Sequence, residues 1–354
     1  MELMGAASID ALTPEQRQQI RVDVACASCG ACGAQIVKQS EAQGTSTKIR
    51  QPHFRFTGPN GQDAHHELCE FNAEASKELK DPLINFATDR SAETRFVRGL
   101  VCKGIENGIF DQEAIRGMRQ WFFDLKSETR VRVSATVEAI EWMEKLSSHP
   151  YHRRWPFHPS HAEMPNFDWQ EAAKLQFTED HFVLLEWLFE KRRTSHFPRA
   201  FSRAKTLSEE HFDQEIFDRS VLKPFYEKNV EFACFFAKNS DFPKKKKTPP
   251  EYYRFQGAPV PLLALCALLL FVSDWSMDDA IGLGAKLIAA PSASDGTLGN
   301  VMGLNPFHDY LAWETLALAS ELAAKSPADF EYEEILQGIE ARIRDEHRLW
   351  RESR

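Results

Sequence analysis

The chain has 354 residues, of which 43% are hydrophobic, so it is long enough to form two or three domains with buried cores. Its formal net charge of −9 excludes a uniformly basic protein that coats nucleic acid, and contact with an acidic polymer would need local basic patches. Four of the seven cysteines fall within the first 69 residues. Because no secretory signal is recognisable at the N-terminus, we expect a cytoplasmic protein whose clustered thiols bind metal instead of forming disulfides.

The first predicted elements form a small module. Thr13 followed by Pro14 is typical of a helix N-terminus. Alternating polar and apolar residues then predict three strands, at 21–24, 35–38 and 49–56. A turn follows at 57–61, and a helix is predicted from His65 to Leu79. Residues 1–80 are therefore predicted to be a β-hairpin and helix module stapled by metal.

The cysteines of this module have the spacing of a zinc knuckle. In Cys-x-x-Cys-Gly, two thiolates bind one Zn²⁺ and the glycine allows the chain to turn back. Two overlapping copies are present, Cys26–Gly30 and Cys29–Gly33. The second is favoured because 36–37 provides the strand that leaves such a turn. A structural zinc site needs four ligands, and the alternative is a set of reduced thiols that bind no metal.

The remaining two ligands come from a later segment. Cys69 is paired with either His53 or His66, and His66-x-x-Cys69 again has knuckle spacing. Cys26 and His65 are further alternatives. Because the supply of ligands is complete and rich in sulfur, the zinc is expected to be structural.

Cys29-x-x-Cys32-Gly33, the segment Pro52-His53-Phe54-Arg55-Phe56 and Cys69 resemble the N-terminal zinc finger of competence protein CoiA-like proteins. The resemblance covers residues 20–75 and implies that Zn²⁺ is held by Cys29, Cys32, His53 and Cys69. Phe56 stands where that family has a second histidine. The family also carries a nuclease-like domain. Its acidic strand residue and Glu-x-Lys strand are not recognisable after residue 80, so a divergent nuclease is kept only as an alternative function.

Beyond residue 80 the apolar spacing is helical. Three stretches precede a segment rich in proline and histidine, at 96–109, 115–125 and 133–146. That segment, 149–167, holds four prolines and four histidines and is predicted to be a loop and a domain boundary. Its His-x-x-His pairs could bind a second metal ion, although a solvated loop is preferred. The predicted domains are 1–80, 81–150 and 165–354.

The C-terminal part continues the helical pattern. Further helices are predicted at 177–193, 208–221, 224–237, 310–325 and 330–350. The apolar stretch 261–272 is shorter than the roughly 20 residues that span a bilayer, so it is predicted to be a buried core helix and no membrane partner is expected. Residues 282–306, rich in Gly, Ser and Pro, are predicted to be a loop. The expected fold is therefore mainly α, with the zinc module at its start.

Two basic segments could contact phosphate groups. Residues 191–208 contain no Asp or Glu and are interleaved with phenylalanines, and a lysine run at 244–247 precedes the aromatic residues of 252–255. Basic side chains neutralise phosphates, and aromatic rings can stack on unpaired bases. The candidates are Lys191, Arg192, Arg193, Arg199, Arg203, Lys205, Lys244, Lys245, Lys246 and Lys247.

The sequence thus favours a zinc-containing protein that binds DNA or RNA, or a subunit of a nucleoprotein complex, without catalysis of its own. One alternative is the divergent metal-dependent nuclease. Another is a protein-interaction subunit that docks through aromatic-rich helices, because the chain contains 26 Phe and 8 Trp.

Overall fold

The computed structural model describes residues 12–26, 30–37, 40–41, 48–50, 53–65, 72, 83–85, 91–150, 155–191, 198–243, 249–253, 257–294, 302–325 and 331–354. Over these ranges it contains twelve α-helices and eight short strands. The predicted mainly helical fold class is therefore confirmed.

The chain divides into two compact units. Unit 1 comprises Met1–Glu128, Lys228–Lys245 and Ala258–His308, and unit 2 comprises Thr129–Glu227, Lys246–Gly257 and Asp309–Arg354. Segments of the two units alternate along the sequence, whereas the predicted domains are consecutive. The predicted boundaries stay a prediction.

Unit 1 begins with helix α1 (Pro14–Asp23), which starts at Thr13 as predicted. The Thr13 hydroxyl accepts a hydrogen bond from the Gln16 N–H, and the Gln16 side chain accepts one from the Thr13 N–H, which satisfies two of the unpaired donors at the helix start. The strand predicted at 21–24 is wrong, because its first three residues complete α1. The Val24 N–H still donates to the Ile20 carbonyl at 3.1 Å, which closes the last helical turn.

Five short strands follow, β1 (Ala34–Val37), β2 (Ser40–Glu41), β3 (Lys48–Arg50), β4 (His53–Phe56) and β5 (Leu83–Asn85). Strands β1 and β4 pair antiparallel, and so do β2 and β3. The strand predicted at 49–56 is therefore two strands that pair with different partners. Most of the helix predicted from His65 to Leu79 lies outside the described residues.

The helices of unit 1 pack around one apolar helix. They are α2 (Ala92–Glu106), α3 (Gln112–Glu128), the part of α8 (Lys223–Lys238) from Lys228 on, α9 (Val260–Val272) and α10 (Met277–Ala289). Every residue from Leu262 to Leu270 is buried. Helix α9 contacts α2, α3 and α10, and the last strand of the unit, β8 (Met302–Leu304), pairs with β5. The stretch predicted to be a buried core helix is confirmed as one.

The break between α9 and α10 is made by two residues in the left-handed backbone region, Asp274 (φ 49°) and Trp275 (φ 58°). The Trp275 N–H donates to the Leu270 carbonyl at 2.7 Å and ends α9. The Ser276 side chain then accepts from the Asp279 N–H and caps α10. Among the helices that the structure describes, none is by itself long and apolar enough to cross a membrane; α9 and α10 reach that length only together, bent by 117°.

Helix α10 corrects the loop predicted at 282–306, since it continues through Gly282 and Gly284 to Ala289. The reason is packing. A Cβ at Gly284 would lie 3.3 Å from the Phe236 ring, so this glycine lets two helices approach closely and does not break one.

Unit 2 is built from helices around a second core. They are α4 (Val137–Ser148), α5 (Trp169–Asp180), α6 (Phe182–Lys191), α7 (Pro198–His211), α11 (Tyr310–Lys325) and α12 (Tyr332–Glu352). Strands β6 (Arg130–Arg132) and β7 (Glu215–Phe217) pair antiparallel. The core joins side chains of α4, α5, α6, α7 and α11, with Ile339 and Ile343 of α12. The last two helices lie within two residues of their predicted bounds.

Two helix predictions in unit 2 are wrong. The helix predicted at 177–193 is divided between α5 and α6, which meet at His181. The helix predicted at 208–221 ends at His211, because Asp213 has a φ of 62° and its N–H donates to the Val133 carbonyl at 2.9 Å. The following residues pair with β6, and a short 3₁₀ helix, Arg219–Leu222, comes next. Strand pairing with a distant segment overrides the local helical pattern.

Candidate functional site: the cysteine hairpin and the basic segment

The candidate metal site lies at the base of the β1–β4 hairpin. Ala34 is opposite Phe56 in the register, and Val37 is opposite His53. An isolated bridge between Thr57 and Asp63 extends the pairing past β4. A small apolar cluster forms here, in which Cys26, Ala34 and Phe56 are buried and Ile20, Val24, Ala31 and Ala64 pack against them.

Backbone hydrogen bonds join the two ends of the first knuckle sequence. The Cys26 N–H donates to the Ala31 carbonyl at 2.8 Å, and the Gly30 N–H donates to the Cys26 carbonyl at 2.9 Å. Gly30 has a φ of 71°, and a Cβ there would meet no atom within 4 Å. This glycine is therefore needed for its backbone conformation alone.

The second knuckle glycine has a different role. Gly33 has a φ of 89°, and a Cβ there would lie 2.5 Å from the Thr57 carbonyl oxygen. Its N–H donates to the Arg21 carbonyl at 2.9 Å, and its carbonyl accepts from the Thr57 N–H at 3.3 Å. Gly33 thus holds α1 and the end of β4 together.

These two glycines give a matched pair of variants. We expect Gly30→Ala to cost about 1–2 kcal/mol of hairpin stability, from backbone strain alone. Gly33→Ala should cost more, because its Cβ must also displace the Thr57 carbonyl. Amide hydrogen exchange of Thr57 and of β1 measures both effects. Equal losses in the two variants would contradict the close approach at Gly33.

The candidate ligands are placed as follows. The Cys26 side chain is buried, with 2% exposure, whereas Cys32 is exposed and its Sγ lies 3.7 Å from the Gly30 carbonyl oxygen. The half-buried His65 ring meets the Phe56 ring edge-on, with 5.1 Å between centroids. Hydrogen bonds on both sides fix its backbone: the His65 N–H donates to Asp63, and Asn72 donates to the His65 carbonyl.

Three of the candidate ligands, Cys29, His66 and Cys69, lie outside the described residues, and so does the side chain of His53. Over the described part of the chain, no group of three or more His, Cys, Asp or Glu side chains is arranged to hold a metal ion. The described thiols and imidazole are chemically suited to Zn²⁺, but they would need donors from those other positions. The zinc site stays a prediction.

In the basic segment the described cations divide into two kinds. Lys191 ends α6, Arg199 lies in the first turn of α7, and both are exposed. Neither has an ion pair with a described carboxylate. Positions 192, 193 and 244–247 lie outside the described residues.

Arg203 and Lys205, in contrast, already bind carboxylates of unit 2. Arg203 Nε lies 2.7 Å from Asp309, and Lys205 Nζ lies 2.9 Å from Glu144 and 3.1 Å from Glu141. Partial burial disfavours the charged form of Lys205, but the hydrogen bonds to Glu144 and Glu141 outweigh it and raise its pKa. Sequence reasoning could not separate these two residues from Lys191 and Arg199, because their partners are far away in the chain.

The histidines of 149–167 have structural roles where they are described. His158 Nδ1 accepts from the Ser160 N–H at 3.3 Å, and His161 Nδ1 accepts from the His158 N–H at 3.2 Å. His158 Nδ1 also lies 2.7 Å from the Ser160 hydroxyl, so the Nδ1 of each ring is engaged in a local hydrogen bond. These two rings cap the 3₁₀ helix Pro159–Glu163, so the structure favours the loop over a second metal site.

Helix α6 carries a feature that sequence reasoning did not locate. Only Leu185 and Leu188 of its ten residues are buried, although most of the helix is apolar. Val183 is 78% exposed and Phe189 is 60% exposed. The usable signal was the aromatic-rich run at 177–193, which predicted a helix but did not indicate which of its side chains would be exposed.

Comparison with known proteins adds no family to this description, since no protein-family model, no curated protein and no solved structure matches the chain.

Proposed function

We propose that this protein is a nucleic-acid-binding protein whose N-terminal module is held together by structural zinc and which has no catalysis of its own. The observation that carries the proposal is the acid-free segment 191–208 on a chain of net charge −9. A segment that keeps only one sign of charge attracts phosphate locally even on an acidic protein. The exposed positions of Lys191 and Arg199 at the two ends of 192–197 support this reading.

The ion pairs of Arg203 and Lys205 with carboxylates of unit 2 reduce the set of candidate phosphate contacts. A guanidinium or ammonium group that already binds carboxylates gains little by moving to a phosphate, because it must leave one anion for another. We therefore assign phosphate contact to Lys191, Arg192, Arg193, Arg199 and the lysines of 244–247. Arg203 and Lys205 instead hold α7 in place.

This division gives a direct test by fluorescence anisotropy with labelled single- and double-stranded DNA and RNA, titrated over a range of salt. Arg199→Gln should weaken duplex binding and reduce the slope of log K against log[salt] by about 0.9. Lys205→Gln, the matched control, should leave the slope unchanged because its ammonium is bound to Glu141 and Glu144. Absence of binding at low salt would refute the proposal, and a slope changed only by Lys205→Gln would refute the assignment.

Docking onto a protein partner is a second candidate function, and the exposed apolar side chains of α6 favour it. Large apolar side chains exposed to solvent can serve as contacts for a protein partner. We expect Val183→Ser and Phe189→Ser to reduce the amount of any protein that co-purifies at low salt, without changing nucleic-acid affinity. Co-purification unaffected by both substitutions would contradict this function for α6.

A further inference from the structure

The β1–β4 hairpin presents two polar side chains side by side to solvent. Residues directly opposite each other in an antiparallel pair point to the same face of the sheet, and successive residues alternate between the two faces. Ala34 and Phe56 are opposite each other and are buried in one cluster with Cys26. The next pair, Gln35 and Arg55, therefore lies on the other face, and both side chains are exposed.

The hairpin is narrow enough to enter the major groove of B-form DNA. Over the described residues, β1 and β4 form a sheet of two strands with no third strand beside them. Paired strands lie about 4.8 Å apart, whereas the major groove of B-form DNA is about 12 Å wide and admits a two-stranded ribbon. An RNA duplex differs, because its major groove is too deep and narrow for side chains to read. The shape of the hairpin thus favours DNA over RNA duplexes.

Glutamine and arginine are side chains that can distinguish the bases in this groove. An arginine guanidinium donates two hydrogen bonds to O6 and N7 of guanine, and a glutamine amide donates to N7 and accepts from N6 of adenine. The Cβ atoms of opposite residues lie about 4.5–5.5 Å apart, and successive base pairs are about 3.4 Å apart. Gln35 and Arg55 can therefore contact neighbouring base pairs at the same time.

The charge of this part of the chain is complementary to DNA. Residues 13–57 contain six Lys and Arg against three Asp and Glu, a net charge of +3, which leaves −12 for the rest of the chain. Neither Arg21 nor Arg55 has an ion pair with a described carboxylate. The carboxylate of Asp63, which follows β4 in the chain, accepts from the His65 N–H at 2.9 Å. On an acidic protein, a local basic part is attracted to the DNA phosphates while the remainder is repelled.

A cation of α1 is fixed beside the hairpin. The Arg21 carbonyl accepts from the N–H of Gly33, the residue before β1, at 2.9 Å, and the Arg21 side chain is half-buried. Phosphates border both sides of the major groove, so a cation next to an inserted hairpin can bind a phosphate and fix the register of the base contacts. Such a contact carries no sequence information, which separates the role of Arg21 from that of Arg55.

We propose that the face of the β1–β4 hairpin that carries Gln35 and Arg55 binds in the major groove of B-form DNA, with these two side chains at base edges and Arg21 at a phosphate. This role rests on the proposed function and adds the polymer and the groove to it. The exposed cations of 191–199 then supply affinity for any sequence, and the hairpin supplies the preference among sequences.

The test uses the full chain and a library of DNA duplexes of randomised sequence, from which the bound molecules are selected and sequenced. We expect enrichment of a short motif that contains both guanine and adenine. An RNA duplex should compete for the chain less well than a DNA duplex of the same length and sequence, because the hairpin cannot enter its major groove.

Variants separate base contacts from phosphate contacts. Arg55→Ala should lower the preference for guanine by about fivefold to a hundredfold, and Gln35→Ala should lower the preference for adenine without changing the salt dependence. Arg21→Gln should weaken all sequences equally and reduce the slope of log K against log[salt] by about 0.9. The matched control is Arg130→Ala, an exposed arginine of the β6–β7 pair, which should leave the motif unchanged.

The outcomes distinguish the hairpin contact from the proposed function. Because Gln35 and Arg55 are exposed, their substitution should leave hydrogen exchange of β1 and β4 unchanged, so a lost preference is a lost base contact. Absence of binding to any nucleic acid at low salt would refute both. Binding with no enriched motif, equal competition by the RNA duplex, or a motif unchanged in both Gln35→Ala and Arg55→Ala would refute the hairpin contact alone.

Discussion

Removal of zinc is expected to unfold the β1–β4 hairpin while the helices of unit 1 stay folded. Among the residues that the structure describes, the buried cluster of the hairpin consists of Cys26, Ala34 and Phe56, of which only Phe56 is a large side chain. A two-stranded hairpin by itself is at best marginally stable in water. Structural zinc binding in small modules has an apparent free energy of about 10–16 kcal/mol, which would account for most of the stability of this one.

Hydrogen exchange of β1 and β4 with and without a chelator measures this effect, and α9 is the internal reference. We expect loss of protection in the two strands and none in α9. Metal analysis should give one zinc per chain. If the purified chain contains no zinc and the chelator leaves the hairpin protected, the metal site is wrong.

The ligand set is tested by single cysteine variants. The family resemblance makes Cys32 a ligand and Cys26 a spare, so Cys32→Ser should lose zinc and Cys26→Ser should keep it. The reverse result would assign the knuckle to Cys26–Gly30, whose first thiol is buried. Cys234→Ser, a half-buried position on α8, is the control and should retain the metal. Zinc retained in all three variants would exclude both knuckles.

Helices whose pattern depends on near neighbours could be predicted from sequence. The run 310–325 repeats its apolar residues at helical spacing, and the structure gives α11 those bounds. Thr13 and Pro14 marked the start of α1 because the capping contacts lie within four residues. Apolar spacing and helix capping depend only on residues that are close in sequence, so the sequence alone can show them.

Elements fixed by distant contacts could not be predicted in this way. Gly284 resembles a helix breaker in sequence, and only its approach to the ring of Phe236, far away in the chain, explains it. The β7 strand was missed because its partner, β6, lies more than 80 residues earlier. Local propensity is a weak prior where tertiary packing selects the conformation.

The candidate phosphate contacts also depend on residues that are distant in sequence, so the sequence alone could not predict which of them are available. Arg203 and Lys205 look like the other cations of 191–208, yet their carboxylate partners lie 106 residues away at Asp309 and 64 residues away at Glu141. A basic run in sequence therefore overstates the charge available to a ligand. The sequence alone does identify the segment 191–208, in which the exposed cations Lys191 and Arg199 lie.

Truncation of the core helix is expected to have the largest effect on unit 1. Leu265 of α9 is 2% exposed, so Leu265→Ala removes buried methyl groups and leaves a cavity that the surrounding helices fill only in part. Such substitutions cost about 2–5 kcal/mol. Val260, at the start of the same helix, is 42% exposed, and Val260→Ala should cost less than about 0.5 kcal/mol.

Urea denaturation followed by circular dichroism and by tryptophan fluorescence compares the two α9 variants. Tryptophan fluorescence reports on both units, because Trp121 and Trp275, 5.1 Å apart between ring centroids, lie in unit 1 and the other six tryptophans lie in unit 2. Leu265→Ala should lower the midpoint with an unchanged slope, because the surface exposed on unfolding is the same. A cost below about 1 kcal/mol would mean that neighbouring helices collapse onto α9. If Leu265→Ala and Val260→Ala lower the free energy of unfolding equally, the burial of the stretch from Leu262 to Leu270 is contradicted. The central place of α9 in the fold of unit 1 would then be wrong as well.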